Sequence, residues 1–297
     1  MGMMLSIIVL AMVQGLAELL PVSSSAHVIV AEKLLGLDPT TPEMTLLLVM
    51  LHTGTMLAVI LFFLRSWRDA YFSTRKGSWR FVKLLCLATI LTGVLGWIIK
   101  VAIERFAMRD APKAEIEMLF GNLPLIAVAL AAAGILIIWS GVRYHRFPGQ
   151  DQPISGRQAA WMGIIQGLCL PFRGFSRSGA TISCGLLTGA AKRPVEEFSF
   201  ALAVILTPSV VIREAIRLVA SRQAFLASGS GSMLGLFAPA LLGLVFSFLA
   251  GLLALRWLTR WLDRGKWHYF GYYCLFAAVM VLTIHLVGSS SVLHAGR

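Results

Sequence analysis

Charge is what this sequence has least of. Only 14 of its 297 residues are acidic, and Asp, Glu, Lys and Arg together make up 13%, while hydrophobic residues reach 58%. A soluble chain of this size needs a larger polar share to cover its surface. Short alternating segments are missing too, which excludes a membrane barrel. The four cysteines, Cys86, Cys169, Cys184 and Cys274, include no CxxC pair. Each lies in or beside an apolar run, so they read as small buried hydrophobes, with no support for a disulfide framework or a zinc site. No Lys or Arg precedes Lys33. A signal peptide needs a basic leader and a small-residue cleavage site, so the N-terminus is expected to be mature structure.

What the chain does have is apolar length, with a mean hydropathy of +0.80. Six segments, roughly 43–64, 82–102, 119–141, 197–216, 233–255 and 268–288, are long and apolar enough to cross a bilayer core. The net charge of +12 lies mostly between these runs, so it reports topology and not a nucleic-acid partner.

Two further apolar segments are interrupted. Residues 1–36 break at Pro21 and the serines after it, and residues 158–192 break at "PFRGFSRSG". Each half is marginal for crossing alone, which suits re-entrant helix pairs that dip into the membrane and return. Charge orients them. Arg65, Arg68, Arg75, Lys76, Arg80 and Lys83 against the single acid Asp69 place the loop after the first span in the cytoplasm. Arg143, Arg146 and Arg157 mark a second inside loop, and Arg256, Arg260, Arg264 and Lys266 a third. The mixed-charge loop from Glu104 to Glu117 and the stretch 217–232 fall outside. The first broken segment then enters from the outer face, and the second from the cytoplasmic face.

The two segments also echo each other: "MVQGLAELLPVSSSAH" at 12–27 and "IIQGLCLPFRGFSRSGAT" at 164–181 share QGL, a proline and a polar triplet. The expected fold class is therefore all-α integral membrane, with six transmembrane helices plus two re-entrant helix pairs related as inverted repeats. Residues 1–297 form a single membrane domain whose halves run roughly 1–141 and 156–288. Such repeats place a site near the midplane, where the broken helices meet.

The polar residues in those breaks carry the chemistry. Gln14 and Glu18 are four apart and share a helix face. Ser24 and His27 open the half-helix beyond Pro21, among the three serines Ser23, Ser24 and Ser25. One serine would suffice as a cap. Ionisable groups inside a membrane segment are costly and mark function. The second break holds Ser176, Arg177, Ser178 and Thr181 between Gly174 and Gly179. An arginine at a helix start offers a bidentate fork beside free N–H groups, an anion site.

A carboxylate, an amide, hydroxyls, a histidine and an arginine together fit phosphoryl chemistry. Glu18 and Gln14 are the candidate ligands for a divalent cation, Mg²⁺ or Ca²⁺. Arg177 would stabilise charge on the transferring group. Three routes are open: Ser24 attacks with His27 as base, His27 attacks directly, or His27 activates water. His52 falls within a span and reads as core. Glu196 and Glu197 follow "KRP" at a helix start, where acids favour the dipole. The rival reading from another class is a lipid or small-anion transporter built on inverted repeats.

At these two breaks the chain resembles the undecaprenyl-diphosphate phosphatases, the bacitracin-resistance type of bacterial membrane enzyme. The resemblance covers almost the whole chain. It rests on Gln14 to Glu18 with "PVSSSAH" at 21–27, on "RGFSRSGAT" at 173–181, and on "EEFSFALAV" at 196–204. It implies hydrolysis of undecaprenyl diphosphate to the monophosphate carrier lipid that is recycled for cell-wall synthesis. It implies a site open to the periplasm or exterior of a bacterial cytoplasmic membrane. Carried-over roles are metal binding at Glu18 and Gln14, phosphoryl transfer at Ser24 and His27, and phosphate contact by Arg177 with Ser176, Ser178 and Thr181, joined by Ser23 and Ser25. The partners are the polyprenyl diphosphate substrate and the surrounding lipid, with no nucleic acid and a homodimer left open. Three positions depart from the pattern: Gln14 stands where many members have Glu, Ala26 where Gly is usual, and Arg173 where the motif has Pro.

Overall fold

Helix α1, Met3–Leu19, stops where Pro21 would break its ladder. Leu20, the residue before that proline, is extended at φ −73°, ψ 151°, and its N–H closes the last turn on Leu16 O. Helix α2, Ser24–Leu35, begins after the break. The computed structural model describes residues 2–38, 41–107, 122–149, 152–220 and 233–295. The second interrupted segment divides in the same way, into α6, Gly156–Cys169, and α7, Arg177–Leu187. A Ser155–Gln158 capping box starts α6. The four pieces have 17, 12, 14 and 11 residues, each shorter than the about 20 that a span requires.

The longer helices are α3, Pro42–Tyr71; α4, Arg75–Ala102, extended by a π turn at Ile103–Ala107; α5, Leu123–Arg146; α8, Lys192–Ala220; α9, Met233–Asp263; and α10, His268–Ala295. Thr41 caps α3 by accepting from Met44 N–H at 3.3 Å, with Pro42 in the first turn, and Asn122 caps α5 in the same manner. Five stretches are long and apolar enough to cross a membrane: Glu43–Tyr71, Arg75–Arg105, Leu123–Arg146, Phe237–Asp263 and His268–Leu286. They correspond to five of the six expected spans. The sixth, 197–216, lies within α8, whose 29 residues measure roughly 43 Å at 1.5 Å per residue. Of the expected outer loops, Glu104 to Glu117 and 217–232, the parts at 108–117 and 221–232 lie outside the described residues, as do the first residues of the span at 119–141.

The helices run on past the predicted span ends. Only Phe72, Ser73 and Thr74 separate α3 from α4. Arg65, Arg68, Arg75, Lys76, Arg80 and Lys83 therefore ride on helix ends, where a loop was expected. Arg and Lys are good helix formers, and their tips reach the headgroup zone while their stems stay apolar.

Outward faces are apolar. Ile90, Trp97, Val128, Phe276 and Val279 are 62–67% exposed. In water each would forgo about 1.5–3 kcal/mol of burial. Against hydrocarbon nothing is lost, and the protein is a multi-pass helical membrane protein.

Two compact units share the described residues, and each draws on both halves of the sequence. The first holds Met1–Leu20, Ser24–Trp79 and Phe200–Arg260. Its core gathers Ile7, Leu10, Ala11, Val28, Met44, Leu47 and Leu51. Helix α1 approaches α9 at Gly15, where a Cβ would lie 2.6 Å from Ala250 Cβ and Ser247 O. The Ser247 hydroxyl donates to Leu51 O at 3.0 Å.

The second unit holds Pro21–Ser23, Arg80–Ser199 and Trp261–Arg297. Here α6 meets α4 at Gly167, where a Cβ would lie 2.8 Å from Thr92 O. Gln166 Nε2 donates to Thr92 Oγ1 at 3.1 Å, and that hydroxyl lies 2.9 Å from its acceptor Gly163 O. Both QGL glycines thus sit at a close helix approach within their own unit. Lipid is as apolar as Leu, so backbone contact through small residues is what holds such helices together. Trp267, 1% exposed, donates its indole N–H at 3.1 Å to both Ser140 Oγ on α5 and Ser183 Oγ on α7.

Candidate functional site

In the first unit the motif residues gather on Glu18. Gln14, 2% exposed, donates from Nε2 to Glu18 Oε2 at 3.3 Å, as their four-residue spacing allows. Ser24 Oγ, across the helix break, donates to the same oxygen at 2.7 Å. That short distance belongs to a charge-assisted bond. It aims the serine proton at a carboxylate, the geometry of a nucleophile beside its base. Sequence reasoning had paired Ser24 with His27. The two are one turn apart in α2, both half-buried. The Glu18–Ser24 bond was missed because it forms through a turn and follows no helix spacing. Ser25 also lies in the first turn of α2, half-buried.

Ser23 shapes that turn. At φ +67° it is the only non-glycine with a left-handed backbone among the described residues, and it is buried. Such a conformation in a residue with a Cβ concentrates at functional sites.

In the second unit, Ser176 caps α7, its hydroxyl accepting from Gly179 N–H at 3.3 Å. Ser176, Ser178 and Thr181 are buried, and Arg177 is half-buried in the first turn. Thr181 Oγ1 donates to Arg177 O at 2.9 Å and lies 2.6 Å from Ser199 Oγ on α8. Gly174, at φ +101°, passes so near α5 that a Cβ would lie 2.5 Å from Ile126 O. No other residue type fits there. Pro21, from the first motif, belongs to this unit: a Cβ on Gly179 would lie 3.2 Å from Pro21 Cβ, and Cys274 Sγ donates to Pro21 O at 3.2 Å.

Three other expectations gain detail. His52 Nδ1 donates to Leu48 O at 2.9 Å, a bond within its own helix. Because α8 begins at Lys192, Glu196 and Glu197 fall in its second turn, beyond strong reach of the dipole. They are 2% and 3% exposed, and Glu197 accepts from Arg193 Nε at 3.0 Å. Composition gave no sign of that burial.

Among the described residues no group of three His, Cys, Asp or Glu side chains could hold a metal by itself. Magnesium, however, is commonly held by one or two carboxylates with substrate phosphates and water completing its shell. Glu18 meets that minimum, and a half-turn of the Gln14 amide would bring its oxygen beside the carboxylate in place of the nitrogen. The donor set fits a cation shared with a phosphorylated substrate.

These parts define a class: a polytopic membrane protein with a carboxylate–hydroxyl pair and an arginine-bearing helix start, each set into an interrupted helix. The chain belongs to the family of bacitracin resistance protein BacA, which it matches over residues 7–280. It is 52% identical over 285 residues to "Undecaprenyl-diphosphatase 2" of Acinetobacter baylyi, covering 95% of this chain and 98% of that one. "Undecaprenyl-diphosphatase 2" of Burkholderia orbicola is 31% identical, with 93% and 95% covered. "Undecaprenyl-diphosphatase" of Korarchaeum cryptofilum is 28% identical, with 93% and 97% covered.

Proposed function

We propose that this chain removes the terminal phosphate of undecaprenyl diphosphate and returns undecaprenyl phosphate, the carrier lipid of cell-wall synthesis. The observation that carries the mechanism is the 2.7 Å bond from Ser24 to Glu18, in a chain 52% identical to a protein named for this activity. Ser24 Oγ passes its proton to Glu18 and attacks the terminal phosphorus. The bond to the bridging oxygen breaks, and its electrons leave on undecaprenyl phosphate. Water then gives a proton to His27 and cleaves the phosphoserine; Glu18 returns its proton to Ser24, His27 passes its own to the inorganic phosphate, and the phosphate departs. Arg177, with Ser176 and Ser178, grips the charged oxygens, joined by Ser23 and Ser25. Glu18 and Gln14 would hold Mg²⁺ or Ca²⁺, which would neutralise charge on the diphosphate.

The finer architecture belongs to the same reading: α1–α2 and α6–α7 are re-entrant pairs related as inverted repeats, and six helices span the membrane. The matching roles of Gly15 and Gly167 support the repeat. The basic residues on the α3–α4 turn and on α9 support a cytoplasmic face there. The site then opens to the outer side of a bacterial cytoplasmic membrane. The transporter reading gains no support from these relatives.

The test is inorganic phosphate release by purified protein from undecaprenyl and farnesyl diphosphate, with and without EDTA. Release that EDTA stops and Mg²⁺ or Ca²⁺ restores is expected. No release from either lipid under any condition would overturn the proposal, and undiminished release in EDTA would remove the cation from it.

A further inference from the structure

The hydroxyl of Thr181 has one proton and several claims on it. Arg177 O at 2.9 Å and Ser178 O at 3.4 Å can only accept. Either hydroxyl could donate in the 2.6 Å contact with Ser199; with the Thr181 proton given back to the backbone of α7, the Ser199 proton makes that contact, donated to Thr181 Oγ1. Thr181 is fully buried and Ser199 is 1% exposed. With its proton committed, Thr181 has none to offer a phosphate, whose oxygens are acceptors.

Ser199 is aimed with equal economy. A helical serine ordinarily bonds back to the carbonyl four residues earlier, here Val195 O. Instead its hydroxyl reaches across to α7. The approach is set one turn away: Gly185 lies against Val195, where a Cβ would come 2.6 Å from Val195 Cγ1. Gly185 is four residues from Thr181, and Val195 four from Ser199, so both contacts lie on one stripe of each helix. The glycine lets the helices close, and the hydroxyl pair fixes their register.

We infer that Ser199 is a positioning residue. Through Thr181 it holds the Arg177 carbonyl, and with it the first turn of α7 that presents Arg177, Ser176 and Ser178. Thr181 acts on that turn and is not a phosphate ligand. The inference rests on the phosphatase reading for its kinetic consequence, though not for its structural one.

The test is a cycle of Thr181→Val, Ser199→Ala and the double variant, with Thr181→Ser, which keeps the hydroxyl, as the rescue. For farnesyl diphosphate hydrolysis, each single variant is expected to lower kcat/KM by about 3- to 10-fold, the worth of one net hydrogen bond. The double variant should fall no further than Thr181→Val, and Thr181→Ser should stay within about twofold of wild type. Multiplicative losses, or a rise in KM confined to Thr181→Val, would overturn the inference and return Thr181 to the phosphate. Hydrogen exchange provides a readout independent of turnover. In Ser199→Ala, amides of the first turn of α7 should exchange about 3- to 10-fold faster, while those of α5 stay unchanged. Unchanged exchange on α7 would overturn the inference even in an active enzyme. Inactivity of the wild type together with faster exchange would sink only the proposed activity.

Discussion

Replacing Ser23 separates backbone geometry from hydroxyl chemistry. Its φ of +67° costs a residue with a Cβ about 1–2 kcal/mol. Glycine removes that cost and adds about 0.5–1 kcal/mol of unfolded-chain entropy. Ser23→Gly should therefore be as stable as wild type or more so, by up to about 1.5 kcal/mol. Ser23→Val places a β-branched side chain in a buried left-handed position and should lose at least about 1 kcal/mol, the lower end of such strain. Ser23→Ala keeps the strain and drops the oxygen. Thermal unfolding in detergent gives the stability order, expected as Gly at or above Ser, then Val. Phosphate release gives the chemistry: if Ser23 contacts the diphosphate, Gly and Ala lose turnover together despite their different stabilities. A Val variant that melts with wild type would refute the left-handed turn. A fully active Ala variant would refute the phosphate contact.

Glu18→Gln keeps an acceptor for Ser24 but removes base and charge; phosphate release should drop by about 100-fold or more, the usual share of a general base, with the melting temperature within a few degrees of wild type. Arg177→Ala should lower turnover at least about 100-fold, because one charge-stabilising donor is lost, and near-normal release would remove Arg177 from the mechanism. Gln14→Glu, which adds a second carboxylate, should lower the Mg²⁺ or Ca²⁺ concentration giving half-maximal activity; loss of activity in that variant would mean position 14 is not a ligand.

The elements legible in the sequence were those set by local rules. Pro21 ends α1 because it lacks an N–H, and Ser176 opens α7 because a side-chain oxygen can cap it; both breaks could be read residue by residue. Five apolar stretches form helices long enough to span because little but length and hydropathy is asked of them. The α3–α4 connection was misjudged as a loop because Arg and Lys extend helices as readily as they fill loops. What stayed hidden depended on turns and on partners distant in sequence. The Glu18–Ser24 bond passes through a serine in a conformation serines rarely adopt. Ser199 lies 18 residues from Thr181, and its place in "EEFSFALAV" gave no sign of that partner. Glu196 and Glu197 are acids whose burial only packing could reveal.

The Trp267 indole, shared between Ser140 and Ser183, makes the short connector before the last helix part of the machinery upstream of it. A minimal version trimmed after α9 would keep every motif residue and still leave α7 without one of its moorings. Protease cleavage near Lys266 would bear on the same mooring from outside the arginine-bearing helix.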